Sequence, residues 1–594
     1  MAEEFLPVRL SHLLRHCSVG AIVRGEHSLV VVRDIRDWFP KGQSPRDQEI
    51  RYVDQVKSAL GIHEALCRPP VKRERDGNLT GWIPAQRFPS WMRCLRCGRM
   101  HNAPWRRDDA QEHRCDCGGR LEQAPWVLAH EHGHLADAPW HDLAHADSRN
   151  PQARQCRADW QEPYLALKDG ESGRRIECTR CGASGELKLR LPFGTMTRQQ
   201  PWLREPPSAP LKEPAWLLEI NDVRVHSADN RTALVIPPES RIRRGTVVDR
   251  LYGNSKDQQR IRRTRNRLAR EGAVRTIATE YGCRPLDIEQ AMQQIEEGYP
   301  LFGQAITPQS LLVGEYLALT EPIPDLKEDE DFVTNHHTPA WRELEQTLDS
   351  GYPRRAAATV DQLVGVDKLK EIMVLTGFRR VNGESPTPPD ITADSDWRPA
   401  IELYGEGVFF TLDESLLRRW EANPAVVERT AAYRQRYPSA PLRADVCISS
   451  RFLLCHTLAH LMIRQIEATA GYAAAALKER IYCADGNAPM AGILIYVAVA
   501  DERGSLGGVM ELAAPERFLR LLTATYESAQ WCSLDPVCGE QEGHGPGLLN
   551  GAACHACALI PETSCAYENV LLDRAYIKGD AGLPSLMDAA RHRW

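Results

Sequence analysis

Apolar residues recur at helical spacing over 452–470, predicting a helix that carries His456 and His460 on one face. An uninterrupted apolar run at 493–499 predicts a buried strand, followed by the glycine-rich bend Gly504-Ser505-Leu506-Gly507-Gly508. Nearer the start, a short helix is expected over 9–15 and a strand over 28–33. Further strands are expected at 127–129 and 233–236, and an arginine-rich helix over 257–271. Polar and proline-rich stretches interrupt this pattern. They are Pro69-Pro70 with the charge run at 72–77, the prolines 201, 206, 207, 210 and 214, and spacers at 321–331 and 385–399. The chain accordingly reads as four consecutive regions, 1–90, 91–200, 215–440 and 441–594, of mixed α/β (α+β) character.

Length and composition narrow the class. At 594 residues the chain has room for several domains, and 42% hydrophobic with 26% charged residues is ordinary for a soluble globular protein. No run approaches the ~18 apolar residues of a membrane span. The opening Met1-Ala2-Glu3-Glu4 lacks the apolar core of a signal peptide, so a cytoplasmic location and no membrane partner are expected. A net charge of −6 means that nucleic-acid binding would need a local basic patch.

Eighteen cysteines in such a chain are too sparse for a disulfide scaffold, and their clustering points to metal. Cys94-x2-Cys97 and Cys115-x-Cys117 have zinc-ribbon spacing; four thiolates close a tetrahedron and leave no open position, so the expected Zn2+ is structural. Cys178-x2-Cys181 with Cys156 offers three ligands of a second site. The fourth is expected from the nearby histidines, His130 or His134 ahead of His141 or His145. A third site is expected from Cys538, Cys554, Cys557 and Cys565, with Cys532 outside it or replacing Cys538. The fold expected is therefore multidomain, with two N-terminal zinc-ribbon-like modules, a C-terminal α/β domain holding a four-cysteine site, and about three structural Zn2+ in all.

Catalytic motifs are weaker. His130-Glu131-His132-Gly133-His134 formally matches the H-E-x-x-H of zinc peptidases, but that motif needs a sustained helix, and Gly133, Pro125 and Pro139 oppose one. His456 and His460 have no acid or third histidine near them in sequence, so they are expected to be buried and hydrogen-bonded. The 504–508 bend lacks the Lys and Ser/Thr of a phosphate loop, and no such loop occurs in the chain. No turnover of its own is expected. Arg260, Arg262, Arg263, Arg265 and Arg267, with Arg270 after them and Arg241, Arg243 and Arg244 before, form a local basic patch. It suits phosphate binding or a solvated, protein-docking face equally.

Taken together, His456-Thr457-Leu458-Ala459-His460, Trp531-Cys532-Ser533-Leu534-Asp535-Pro536-Val537-Cys538, Cys554-His555-Ala556-Cys557 and Asn569-x3-Asp573-Arg574 resemble the DrmB family of the DISARM anti-phage defence system. Val19-Gly20-Ala21-Ile22-Val23 and Gly133-His134-Leu135 extend the likeness toward the N-terminus. The family usually carries cysteine where His130 stands, which favours His130 as a ligand. The resemblance implies a non-catalytic partner of a DrmA-like helicase. It also implies engagement of DNA with a single-stranded part, and a DNA methyltransferase of the same system as a further partner. A zinc-dependent hydrolase (peptidase or nuclease) and a pure protein scaffold are the alternatives.

Overall fold

In the computed structural model, residues 4–590 are described except for 41, 52, 74–78, 107–111, 147, 149, 171–172, 188–191, 194–201, 204–213, 237–245, 264–265, 300–306, 322–330, 382, 384, 440–445, 487, 500–507, 541–542 and 581. The glycine bend up to Gly507, Arg241, Arg243, Arg244 and Arg265 therefore lie outside the described residues, as does most of the proline-rich stretch at 201–214. The fold is mixed α+β, as the sequence pattern predicts. The chain forms two compact units, one from 1–50, 63–232 and 373–401, the other from 51–62, 233–372 and 402–594.

The first unit is built on antiparallel sheets. Strands Glu4–Arg9 and Leu79–Arg87 pair in register, with Leu29–Val32 on the other side of the latter. A second sheet joins Trp91–Cys94, Arg99–Asn102, Leu165–Gly170 and Gly173–Cys178. In a third, Trp126–Ala129 lies between Leu135–Asp137 and Ala215–Glu219. A core of Trp91, Trp126, Trp140, Tyr164 and aliphatic residues fills the space beside the second and third sheets. The strand expected at 28–33 is present, but the helix expected over 9–15 shrinks to Leu10–Leu13 because Glu4–Arg9 is committed to its strand.

The second unit centres on helix Ser450–Ala470, capped at its start by Ser449 and ended by Gly471 in the left-handed conformation at φ +74°. Buried on nearly every side from Arg451 to Ile463, it is a core helix rather than an amphipathic surface one. It rests on strands Leu477–Ala484 and Met490–Val499, which pair antiparallel; the latter also pairs with residues 404–411 of strand Trp397–Leu412. The arginine-rich segment forms two helices, not the single one expected over 257–271. Ser255–Arg262 ends at Arg263, and Asn266 caps a new helix, Arg267–Tyr281, by accepting from the Leu268 N–H. Val248, Leu251, Ile261, Val274, Ile277 and Ile288 give these helices a small core of their own. Among the described residues, no helix is long and apolar enough to cross a membrane.

Candidate metal centres

A tetrahedral Zn2+ with bonds of about 2.3 Å to sulfur and 2.0–2.1 Å to nitrogen or oxygen sets ligand atoms roughly 3.8 Å apart for sulfur pairs, 3.5 Å for nitrogen–sulfur and 3.4 Å for nitrogen–oxygen. Those spacings test each cluster.

The first cluster is Cys94, Cys97, Cys115 and Cys117, whose sulfurs all lie within 4.8 Å of one another. Cys94 to Cys117, Cys97 to Cys117 and Cys97 to Cys115 measure 3.4, 3.5 and 3.7 Å. Cys94 closes strand Trp91–Cys94, and the turn to Arg99 bends so that the Arg96 N–H donates to Cys94 Sγ at 3.4 Å. Gly119 is required here, because a Cβ would stand 2.5 Å from Cys94 Sγ. Burial, reinforced by neighbouring thiols, pushes Cys115 up to about 12; at Cys94 burial is outweighed by the N–H groups of Cys97 and Arg96, which bring it down to about 7. Without a cation the four cannot ionise together; a dication removes that penalty.

The second cluster corrects the expected ligand set. It holds Cys156, Cys178 and Cys181, but the fourth member is His145, not His130 or His134. His145 Nε2 is 3.3 Å from Cys181 Sγ, and Cys156 Sγ is 3.8 Å from Cys178 Sγ. His145 ends helix Trp140–His145, whose close contact with strand Ser184–Glu186 delivers it; a Cβ on Gly185 would meet the Leu143 carbonyl. Its Nδ1 is held 2.6 Å from the His141 carbonyl, which fixes the proton there and turns the Nε2 lone pair to the sulfurs. His130 and His134 instead flank the turn between strands Trp126–Ala129 and Leu135–Asp137, closed by an N–H of His130 to the His134 carbonyl at 3.0 Å. Gly133 in that turn has φ +83°. No helix runs through 130–134, so the two-histidine face of a zinc peptidase does not form there.

The third cluster is Cys532, Cys538, Cys554 and Cys557. Sulfur separations are 3.5 Å for Cys532–Cys554 and 3.7 Å for both Cys538–Cys557 and Cys554–Cys557. Cys532 takes the place expected for Cys565. The cause is the path of 563–565: the Glu479 N–H donates to the Ser564 carbonyl at 3.2 Å and Ser564 Oγ donates to the Ala474 carbonyl at 2.7 Å, which ties Cys565 to the sheet edge. It lies beside His456 instead.

The residues of the Asn569-x3-Asp573-Arg574 motif support this region without entering the cluster. Asn569 brackets Ile560 through both its N–H and carbonyl, at 3.0 and 2.9 Å. Asp573 accepts from Arg429, the Tyr433 hydroxyl and the Ala552 N–H. Around the knuckle, Trp531, Leu534 and Val537 are exposed apolar side chains.

Sequence reasoning missed a basic pocket in the first unit. A cavity of about 400 Å³ is lined by Arg24, Arg87, Arg93, Arg120 and Trp105, with two glutamates among its other walls. These residues are scattered over the chain, so no local spacing announces them.

Comparison with known proteins agrees with the geometry. Residues 9–227 match a domain of unknown function, DUF8724, and residues 458–558 match the MrfA Zn-binding domain. The DISARM protein DrmB of Bacillus paralicheniformis is 36% identical over 232 residues, covering 36% of this chain and 40% of the relative. The match thus spans less than half the length of that relative. Over that aligned stretch the chain is related to DISARM protein DrmB, and its C-terminal unit carries an MrfA-type Zn-binding domain.

Proposed function

We propose that this chain is a DNA-engaging, non-catalytic subunit of a DISARM-type defence system that works with a DrmA-like helicase, the methyltransferase of such a system being a further partner. In this reading the cysteine clusters hold structural Zn2+: Cys94, Cys97, Cys115 and Cys117; His145, Cys156, Cys178 and Cys181; Cys532, Cys538, Cys554 and Cys557. Closed shells of this kind stiffen surfaces and leave no place for an activated water.

The observation that carries the DNA reading is a set of exposed arginines. Arg262, Arg263, Arg270 and Arg275 are solvent-exposed and make no ion pair among the described residues. Arg260 and Arg267 are partly neutralised, facing Glu280 at 3.8 Å and Glu271 at 3.2 Å. Unpaired guanidinium groups on a chain of net charge −6 suit phosphate contacts that release counterions. The arginine pocket beside Trp105 adds the combination of charge and aromatic surface used for single strands. A helicase would dock on apolar surface, for which Trp531, Leu534 and Val537 are suited.

The test is DNA binding by the chain alone and mixed with the helicase, at two salt concentrations. The reading expects salt-sensitive binding that strengthens in the mixture. Replacing Arg262, Arg263 and Arg270 by Glu should weaken it about tenfold or more and reduce the salt slope by roughly one per lost contact. Absence of DNA binding in both forms leaves the scaffold reading.

A further inference from the structure

His456 and His460 do not sit in an ordinary hydrogen-bonded core. Each Nδ1 faces a main-chain carbonyl, His456 that of Leu571 at 3.3 Å and His460 that of Ala558 at 2.9 Å. A carbonyl accepts only a donated N–H, so the neutral rings carry their protons on Nδ1 and present lone pairs at Nε2. Both Nε2 atoms point at the same place. They lie 3.1 and 3.4 Å from Glu479 Oε1, and His456 Nε2 is 3.4 Å from Cys565 Sγ. All four ligand atoms are within 4.8 Å of one another.

Lone pairs facing a carboxylate repel unless a cation lies between them. The Glu479 side chain is 0% exposed, yet among the described residues neither of its oxygens, nor His460 Nε2, meets a partner with the geometry of a hydrogen bond. A buried carboxylate so placed is costly. Its position is itself anomalous: in strand Leu477–Ala484 it shares the core-facing side with the buried Leu477 and Ile481, where an apolar residue is expected.

The thiol provides a second, independent sign. The Tyr567 N–H donates to Cys565 Sγ at 3.3 Å, two residues on, and the Asn569 N–H does so at 3.4 Å. The same two-residue N–H to sulfur turn occurs at Cys94 with Arg96 and at Cys532 with Leu534, inside the four-cysteine clusters.

We propose that His456, His460, Glu479 and Cys565 form a further metal site, tetrahedral and suited to Zn2+. The observed nitrogen–sulfur and nitrogen–oxygen distances match those of such a tetrahedron. Charge also balances: one carboxylate and one thiolate cancel a dication, which suits a site whose two histidines and glutamate are buried and which a four-thiolate shell does not achieve. Phe452 and Tyr567 pack their rings 5.4 and 5.1 Å from the His456 ring, and four protein ligands leave no open position. The ion would therefore tie helix, strand and C-terminal segment together rather than activate a substrate.

Two measurements decide the matter. In the full chain, Cys565→Ser and Glu479→Gln should each lower bound Zn2+ by about one equivalent relative to the parent, while Cys447→Ser should not. Should either variant fail to fold, anomalous diffraction at the zinc edge from the unaltered chain equilibrated with Zn2+ serves instead. A peak about 2.0–2.3 Å from the four ligand atoms supports the site. A map without that peak, or variants that fold and keep the parent's zinc content, overturns it and leaves a metal-free contact of the two histidines with Glu479.

Discussion

Arg574 Nη2 lies 2.7 and 2.9 Å from the two carboxylate oxygens of Asp535. Asp535 in turn accepts the Cys532 N–H at 2.8 Å, so a fully buried guanidinium holds the knuckle that presents the first sulfur of the third cluster. Arg574 also donates to the Ala529 carbonyl at 3.0 Å. Arg574→Ala is expected to destabilise the second unit by about 1–3 kcal/mol, since it removes a buried guanidinium from a partly exposed Asp535. Thermal denaturation measures the loss, and faster zinc release to a chelator shows that it reaches the cluster.

Zinc content also discriminates between the histidines. His145→Ala should lose about one equivalent of Zn2+ per chain, since it removes the only nitrogen in the second cluster. His130→Ala and His134→Ala should retain the parent's content. The reverse pattern would return the ligand role to the turn at 130–134.

Gly119→Ala tests the first cluster through sterics alone. The added methyl group would stand 2.5 Å from Cys94 Sγ and 2.8 Å from Arg96 Cβ, with no flexible end to yield. The expected cost is about 1–3 kcal/mol, as for overpacking elsewhere, together with weaker zinc retention in a competition titration. Gly118→Ala, where no atom of the described residues lies within 4 Å of the new Cβ but φ is +80°, should cost less.

Two imidazoles give the first unit a pH dependence. Burial, then Arg380, holds His226 down at about 3, and burial, then His130 and Arg380, holds His134 at about 4. The unfolded chain protonates them near 6.5, so below that pH the unfolded state binds more protons than the folded one. Their stabilisation is present above about 6.5 and is lost as pH falls, at up to about 1.4 kcal/mol per pH unit for each. Acid titration of His226→Gln against the parent should show a shallower decline between pH 6 and 4, roughly one histidine less.

Much of this was legible in the sequence where the determinant is local. A Cys-x2-Cys pair encodes its own turn, so Cys94 with Cys97, Cys178 with Cys181 and Cys554 with Cys557 are each brought together as their spacing predicts. The partners of those pairs are chosen by the path of the chain. His145 depends on a helix packed against strand Ser184–Glu186, and Cys565 is drawn away by hydrogen bonds to residues some ninety positions earlier. Glu479 carried a readable signal, an acid on the apolar face of a strand, but its meaning depends on a helix that precedes it. The break between the two arginine-rich helices was likewise masked by uniform charge, with Asn266 its one local mark.

The order of residues along the C-terminal unit has a last consequence. His456, His460 and Glu479 come before the four cysteines 532–557, and Cys565 comes after them, 109 positions beyond His456. One cluster is nested inside the other. During synthesis the inner four emerge complete while the outer set still lacks its sulfur. Collapse of the inner set then shortens the loop that the outer set has to close. A proteolytic cut between Cys557 and Cys565 would separate the two, leaving the inner cluster whole and the outer one open.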